Sequence, residues 1–151
     1  MRMPWLAGMN LGISGFDDDH RHLLEVLEAL RTSIADGDLS SVRALFEELR
    51  TTTLNHFREE EELMIQLHYP GADDHIAEHE RDRHALMRLR ALIADGCLDR
   101  LAEALAEYSS AYFRGVLHFD SLLVRYVRER AAMVSAEAVP RASGETWTSQ
   151  G

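Results

Sequence analysis

The sequence predicts an all-α protein, an up-down-up-down four-helix bundle preceded by an N-terminal arm. Three observations carry this prediction. Four long stretches place apolar residues at alternating three- and four-residue spacing, short breaks rich in Gly, Asp or Pro separate them, and no stretch alternates as a strand would.

Met1 to Gly15, with Pro4, Trp5 and three glycines, reads as an extended arm that Trp5 ties to the core. Asp17-Asp18-Asp19 opens the first helix, because carboxylates suit the orphan N–H groups and the dipole of a helix start. His20, Leu23, Leu27, Leu30 and Ile34 form its seam, and Asp36-Gly37-Asp38 ends it. The second helix, from about Leu39 to Leu67, lines up Val42, Phe46, Leu49, Thr53, His56, Glu60, Leu63 and Leu67. Tyr69-Pro70-Gly71 breaks it. The third, about Asp74 to Ala94, aligns His75, His79, Asp82, Leu86, Leu89 and Ile93 and stops at Gly96. The fourth runs from about Leu98 past Tyr126 and is expected to bury Leu101, Leu105, Tyr108, Tyr112, Phe119, Leu122 and Tyr126. One domain is expected over 1–131, with the arm at 1–15, the bundle at 16–130 and a disordered tail at 132–151 that includes Trp147.

Composition excludes several function classes. A chain of 151 residues with 46% apolar and 28% charged residues can bury one real core. Its formal charge of −10 makes nucleic acid and anionic membrane surfaces poor partners. The single cysteine, Cys97, cannot form an internal disulfide, and no signal peptide or membrane span is evident, so a cytoplasmic monomer is expected.

The chemistry-bearing residues concentrate around the second break. His56/Glu60 and His75/His79 are each four residues apart, so each pair projects from one helix face. Heights measured from the breaks agree as well. His20 lies 17 residues before Gly37 and His56 lies 19 after it, while His79 lies 17 before Gly96 and His118 lies 22 after it. At about 1.5 Å per residue, five histidines and Glu60 fall near one level. So many buried imidazoles without an ion would leave ring nitrogens unpaired, so the pattern points to metal. His22, His68 and His84, and the acidic run Glu59 to Glu62 apart from Glu60, are expected at the surface.

These segments resemble the hemerythrins in their bacterial single-domain form. Leu11 to His20 is similar to the first ligand segment, with Asp19 where a Gln is usual. His56-Phe57 through Glu60-Glu61 to Leu63-Met64 is similar to the second, and Tyr69-Pro70, His75 and Glu78-His79 to the third. The resemblance spans about Trp5 to Tyr126. It implies a bundle holding two non-haem irons, oxo- or hydroxo-bridged, that bind O2 reversibly for storage, delivery to an O2-consuming enzyme, or sensing. It assigns His75, His79 and His118 to one iron, His20 and His56 to the other, and Glu60 as a bridge, with the open position at the iron of His20 and His56. Two departures follow. The family aspartate five residues after the fourth-segment histidine falls on Leu123, so that bridge is missing. Tyr126 supports this alignment, whereas taking Asp120 as the bridge would put Gly115 at the ligand histidine. Asp82 stands where the family carries an aromatic, and is a candidate extra carboxylate ligand.

Other readings use the same residues. A peroxide- or NO-handling di-iron protein, with weak peroxidase-type activity, fits the same scaffold. His75-Ile76-Ala77-Glu78-His79 also has the H-x-x-E-H form of a zinc hydrolase motif. A binding protein rather than an enzyme is the preferred expectation.

Overall fold

The computed structural model describes residues 12–137, so residues 1–11 of the expected arm, with Trp5, and 138–151 of the expected tail, with Trp147, lie outside it, while 14–15 and 132–137 are helical. Helices α1 (Ser14–Ala35), α2 (Leu39–Gln66), α3 (Ala72–Asp95) and α4 (Leu98–Gly115) follow one another through short turns. A π-helical turn, Val116–Asp120, then joins α4 to α5 (Ser121–Glu137), so α4, this turn and α5 make one long fourth helix. Each helix packs on its chain neighbours, and α1 closes the ring against α4. The protein is an all-α four-helix bundle.

Local chemistry explains the boundaries. Helix α1 starts about one turn before Asp17, whose buried carboxylate folds back to accept the Gly12 N–H at 2.9 Å. Asp38 caps α2 by accepting the Ser41 N–H at 3.1 Å. Helix α3 begins at Ala72 with Asp73 and Asp74 in its first turn, and ends at Gly96, whose φ of 67° is the left-handed conformation that glycine adopts without penalty. Gly71 serves a different need: a Cβ there would come within 2.8 Å of the Tyr69 ring.

Two apolar clusters hold the bundle. The larger packs Leu23, Leu27, Leu30, Phe46, Leu49, Leu86, Leu89, Leu101, Leu105 and Tyr108, among others. The smaller is Phe16, Met64, Leu123 and Val124. Seven polar side chains nearby are also buried: His20, His56, Glu60, His75, His79, Asp82 and Asp120.

The fourth helix departs from the regular seam. The stripe Leu101, Leu105, Tyr108 and Tyr112 is buried as expected, but beyond it Leu122 is 41% exposed and Phe119 and Tyr126 are half-buried. Val116, Asp120, Leu123 and Val124 take the inner side instead. The π turn is the reason: it holds more residues per turn than an α-helix, so everything after it rotates by about one residue position. Leu123 is therefore a fully buried core residue and not the gap of a missing bridge. Leu123→Asp is expected to lower unfolding stability by about 3 kcal/mol or more, since a carboxylate would enter an apolar cluster unpaired. Urea unfolding followed by circular dichroism checks this, and an unchanged midpoint would contradict the placement.

Candidate metal centre

All four bundle helices contribute side chains to one buried point. His20 comes from α1, His56 and Glu60 from α2, His75 and His79 from α3, and Asp120 from the end of the π turn. The four imidazoles all present Nε2. His20 Nε2 lies 3.1 Å from His56 Nε2 and 2.9 Å from Asp120 Oδ2. His75 Nε2 lies 3.0 Å from Asp120 Oδ1, and His79 Nε2 lies 3.0 Å from Glu60 Oε2. Glu60 Oε1 turns the other way, 3.3 Å from His56 Nε2. Each carboxylate thus sends one oxygen toward each histidine pair.

Two sets of ligand-type atoms result, Glu60, His75, His79 and Asp120 in one and His20, His56 and Asp120 in the other. The distances suit metal better than hydrogen bonding. Ligands at right angles on an ion with bonds of about 2.1 Å lie about 3.0 Å apart, which is the spacing seen. Glu60 Oε1 is buried close to His56 Nε2 yet makes no hydrogen bond. Two Nε2 atoms facing each other at 3.1 Å need a proton or a cation between them. The donor set therefore fits a pair of cations, each offered two imidazoles and shared carboxylates.

The outer nitrogens are held too. His56 Nδ1 meets Asp19 Oδ2 at 3.0 Å. His79 Nδ1 meets Glu61 Oε1 at 2.8 Å, and Arg83 Nη2 holds the same oxygen at 2.8 Å. Such partners fix ring orientation and raise ligand basicity. Phe57 stacks on His79 with ring centroids 3.9 Å apart.

The structure revises part of the expected site. His20, His56, Glu60, His75 and His79 converge, but His118 does not: it lies on the exposed side of the π turn, beside the Phe119 ring. The reason is the same rotation, which carries Asp120 inward and leaves residue 118 facing away. Asp120 is thus the second carboxylate, and Gly115, five residues before it, supplies no donor. Asp82 is buried beside His79 but belongs to neither converging set. Glu61, expected at the surface, is the other residue that spacing missed. No signal in the acidic run singled it out. His22, His68 and His84 are exposed, as expected. A larger groove between α1 and α4, lined by Leu27, Arg31, Ile34 and Leu105 among others, lies away from these residues and offers no such donor set.

Charge ties the cluster together even without an ion. Burial pulls the His56 and His75 pKa values down, but the facing Glu60 and Asp120 carboxylates prevail and raise both, His75 to about 9. Burial and the neighbouring Asp120 push Glu60 up, and the histidines overcome them, taking it down to about 2. Asp120 likewise stays well below the carboxylate range despite its burial. Burial, then Glu78, lifts Asp82 to about 7.

Two expectations follow. Asp120→Ala should cost the protein bound metal while His118→Ala leaves metal content unchanged, and elemental analysis after dialysis against metal distinguishes the two; the reverse result would restore His118 as the ligand. The metal-free protein should also show a stability maximum set by these pairs. His75 binds its proton up to about 9 when folded and to 6.5 when unfolded, so its contribution is complete below 6.5 and lost as pH rises through about 9. Glu60 contributes above 4.5 and loses this as pH falls through about 2. Melting temperatures of the metal-free protein should therefore be highest between these limits and fall toward pH 10.

Comparison with known proteins agrees with this centre. Residues 11–127 match the family described as Hemerythrin HHE cation binding domain. A protein named Bacteriohemerythrin from Stenotrophomonas maltophilia is 31% identical over 115 residues, covering 75% of this chain and 75% of that protein. Proteins of the same name from Pseudomonas paraeruginosa and Pseudomonas aeruginosa are each 30% identical over 78 residues, covering 52% of this chain and 51% of their own lengths. With the family match running through every residue of the centre, the chain belongs to the hemerythrin family.

Proposed function

We propose that the protein binds O2 reversibly at a di-iron centre and acts as a binding protein rather than an enzyme. The observation that carries this is the arrangement of two histidine pairs across two shared carboxylates. His20 and His56 would hold one ion, His75 and His79 the other, with Glu60 and Asp120 bridging. Imidazole-rich sites suit several metals, and iron is favoured by the family. Two ferrous ions held there would supply the electrons needed to bind O2.

The chain's own residues supply position, insulation and charge. Both carboxylates and all four histidines are buried, so the centre is shielded from bulk water. Asp19 and Glu61 hold the outer nitrogens of His56 and His79, which keeps Nε2 aimed inward. The zinc-hydrolase alternative is less well supported, because the Glu78 carboxylate is engaged by Arg81 and the recess beside His75 and His79 is too small for a peptide or ester substrate.

Purified protein is expected to hold two irons per chain, and the reduced form should gain visible absorption on exposure to air that reverses when the gas is removed. Glu61→Gln should weaken metal binding about 10–100-fold without unfolding the bundle. Protein that holds one zinc and shows no response to O2 would sink the reading.

A further inference from the structure

Gly115 is the residue whose chemistry the centre does not explain. It closes α4 with φ −60° and ψ −45°, ordinary right-handed helix that any residue adopts. Glycine inside a helix costs about 1 kcal/mol relative to alanine, so here it brings no conformational advantage. What it leaves is room. A Cβ at this position would meet only Glu78, at 3.7 Å and 3.8 Å, which is ordinary contact.

That room borders a narrow recess beside the centre, with space for about one water-sized molecule. Its walls include Phe57, Glu78, Asp82, Tyr112 and Phe119, and its floor includes His75, His79 and Asp120. His20 and His56 take no part in it. On their side the rings of Phe16 and Tyr112 pack edge-on, with centroids 5.3 Å from His56 and 6.4 Å from His20. Tyr112 is 3% exposed, and its hydroxyl has no hydrogen-bond partner. A buried phenol without a partner, at the wall of a recess over metal ligands, is a donor available to whatever enters.

We infer that a small uncharged ligand reaches the di-metal centre through this recess, on the side of His75 and His79, where the absent side chain of Gly115 leaves a coordination position uncovered. This rests on the di-iron reading above, and it reverses the side on which the resemblance alone would place the open position. Each ion would be offered two imidazoles and shared carboxylates and so has positions to spare, and the recess decides between them because His75 and His79 line it and His20 and His56 do not. Glu78 at the wall disfavours anions, and the small volume restricts entry to the smallest molecules. The Tyr112 hydroxyl would donate to it.

Nitric oxide added anaerobically to the ferrous protein tests this, with iron content measured first and the N–O stretch and association rate as readouts. Gly115→Ile should fill the recess, and Gly115→His should fill it with a ligand. Both are expected to keep two irons and to slow nitric oxide association about tenfold or more. Gly115→Ala, whose Cβ makes only ordinary contact, keeps the fold and should slow it less. If iron binds normally and the Ala, Ile and His variants all take up nitric oxide as the native protein does, the ligand enters by the His20 and His56 side and the inference is wrong. Native protein that holds no iron would instead overturn the di-iron reading.

Discussion

The rest of this structure depends on a buried crowding of imidazoles and carboxylates that must be held together by protons or by metal ions. Four imidazole nitrogens and two carboxylates meet within about 3 Å of their neighbours, with water largely shut out. Protons can hold such a cluster together, as the raised His75 and lowered Glu60 show, but they leave Glu60 Oε1 without a partner. Metal ions would replace those protons. Loading and folding are therefore coupled through the same six side chains: groups that stabilise the empty bundle as charged pairs must release protons before they can ligate.

The π turn is what lets a helix that packs along a regular seam also deliver Asp120. Up to Tyr112 the fourth helix follows the spacing of any bundle helix. Past Asp120 it buries Leu123 and Val124 in a second cluster. One wide turn between the two registers satisfies both, at the cost of poorer backbone geometry over Val116–Asp120. Helix α2 needs no such adjustment, because His56 and Glu60 already lie one turn apart on its core stripe. The same holds for His75 and His79 on α3.

This difference explains what was legible in the sequence. Four helices, their breaks and five of the six converging residues follow from regular 3.6-residue periodicity, because their helices are regular where those residues sit. Asp120 and His118 were exchanged because that rule was carried across a π turn, which leaves no mark in composition or spacing. Asp120 was visible as an alternative, and the missing histidine at Gly115 counted against it. The structure shows that both facts hold at once: the carboxylate is present and the histidine is not. Glu61 illustrates a different blindness. Its role rests on the 2.8 Å approach of His79 Nδ1 from another helix, and a run of four glutamates does not say which of them a partner helix will meet.

Placing Asp120 in the centre decides its charge balance. Without a second carboxylate, two ferrous ions would leave an extra positive charge uncompensated in a low-dielectric core. With Glu60 and Asp120 both present, that deficit disappears. What Gly115 removes is a neutral donor, so the charge of the centre is unaffected while its coordination is left short. A charge deficit would attract an anion or an extra carboxylate, and Asp82 would be the natural candidate to supply it. A donor deficit calls for a neutral molecule instead, and Asp82 stays at the wall of the recess, outside either set, its carboxyl lifted to about 7 by burial and Glu78.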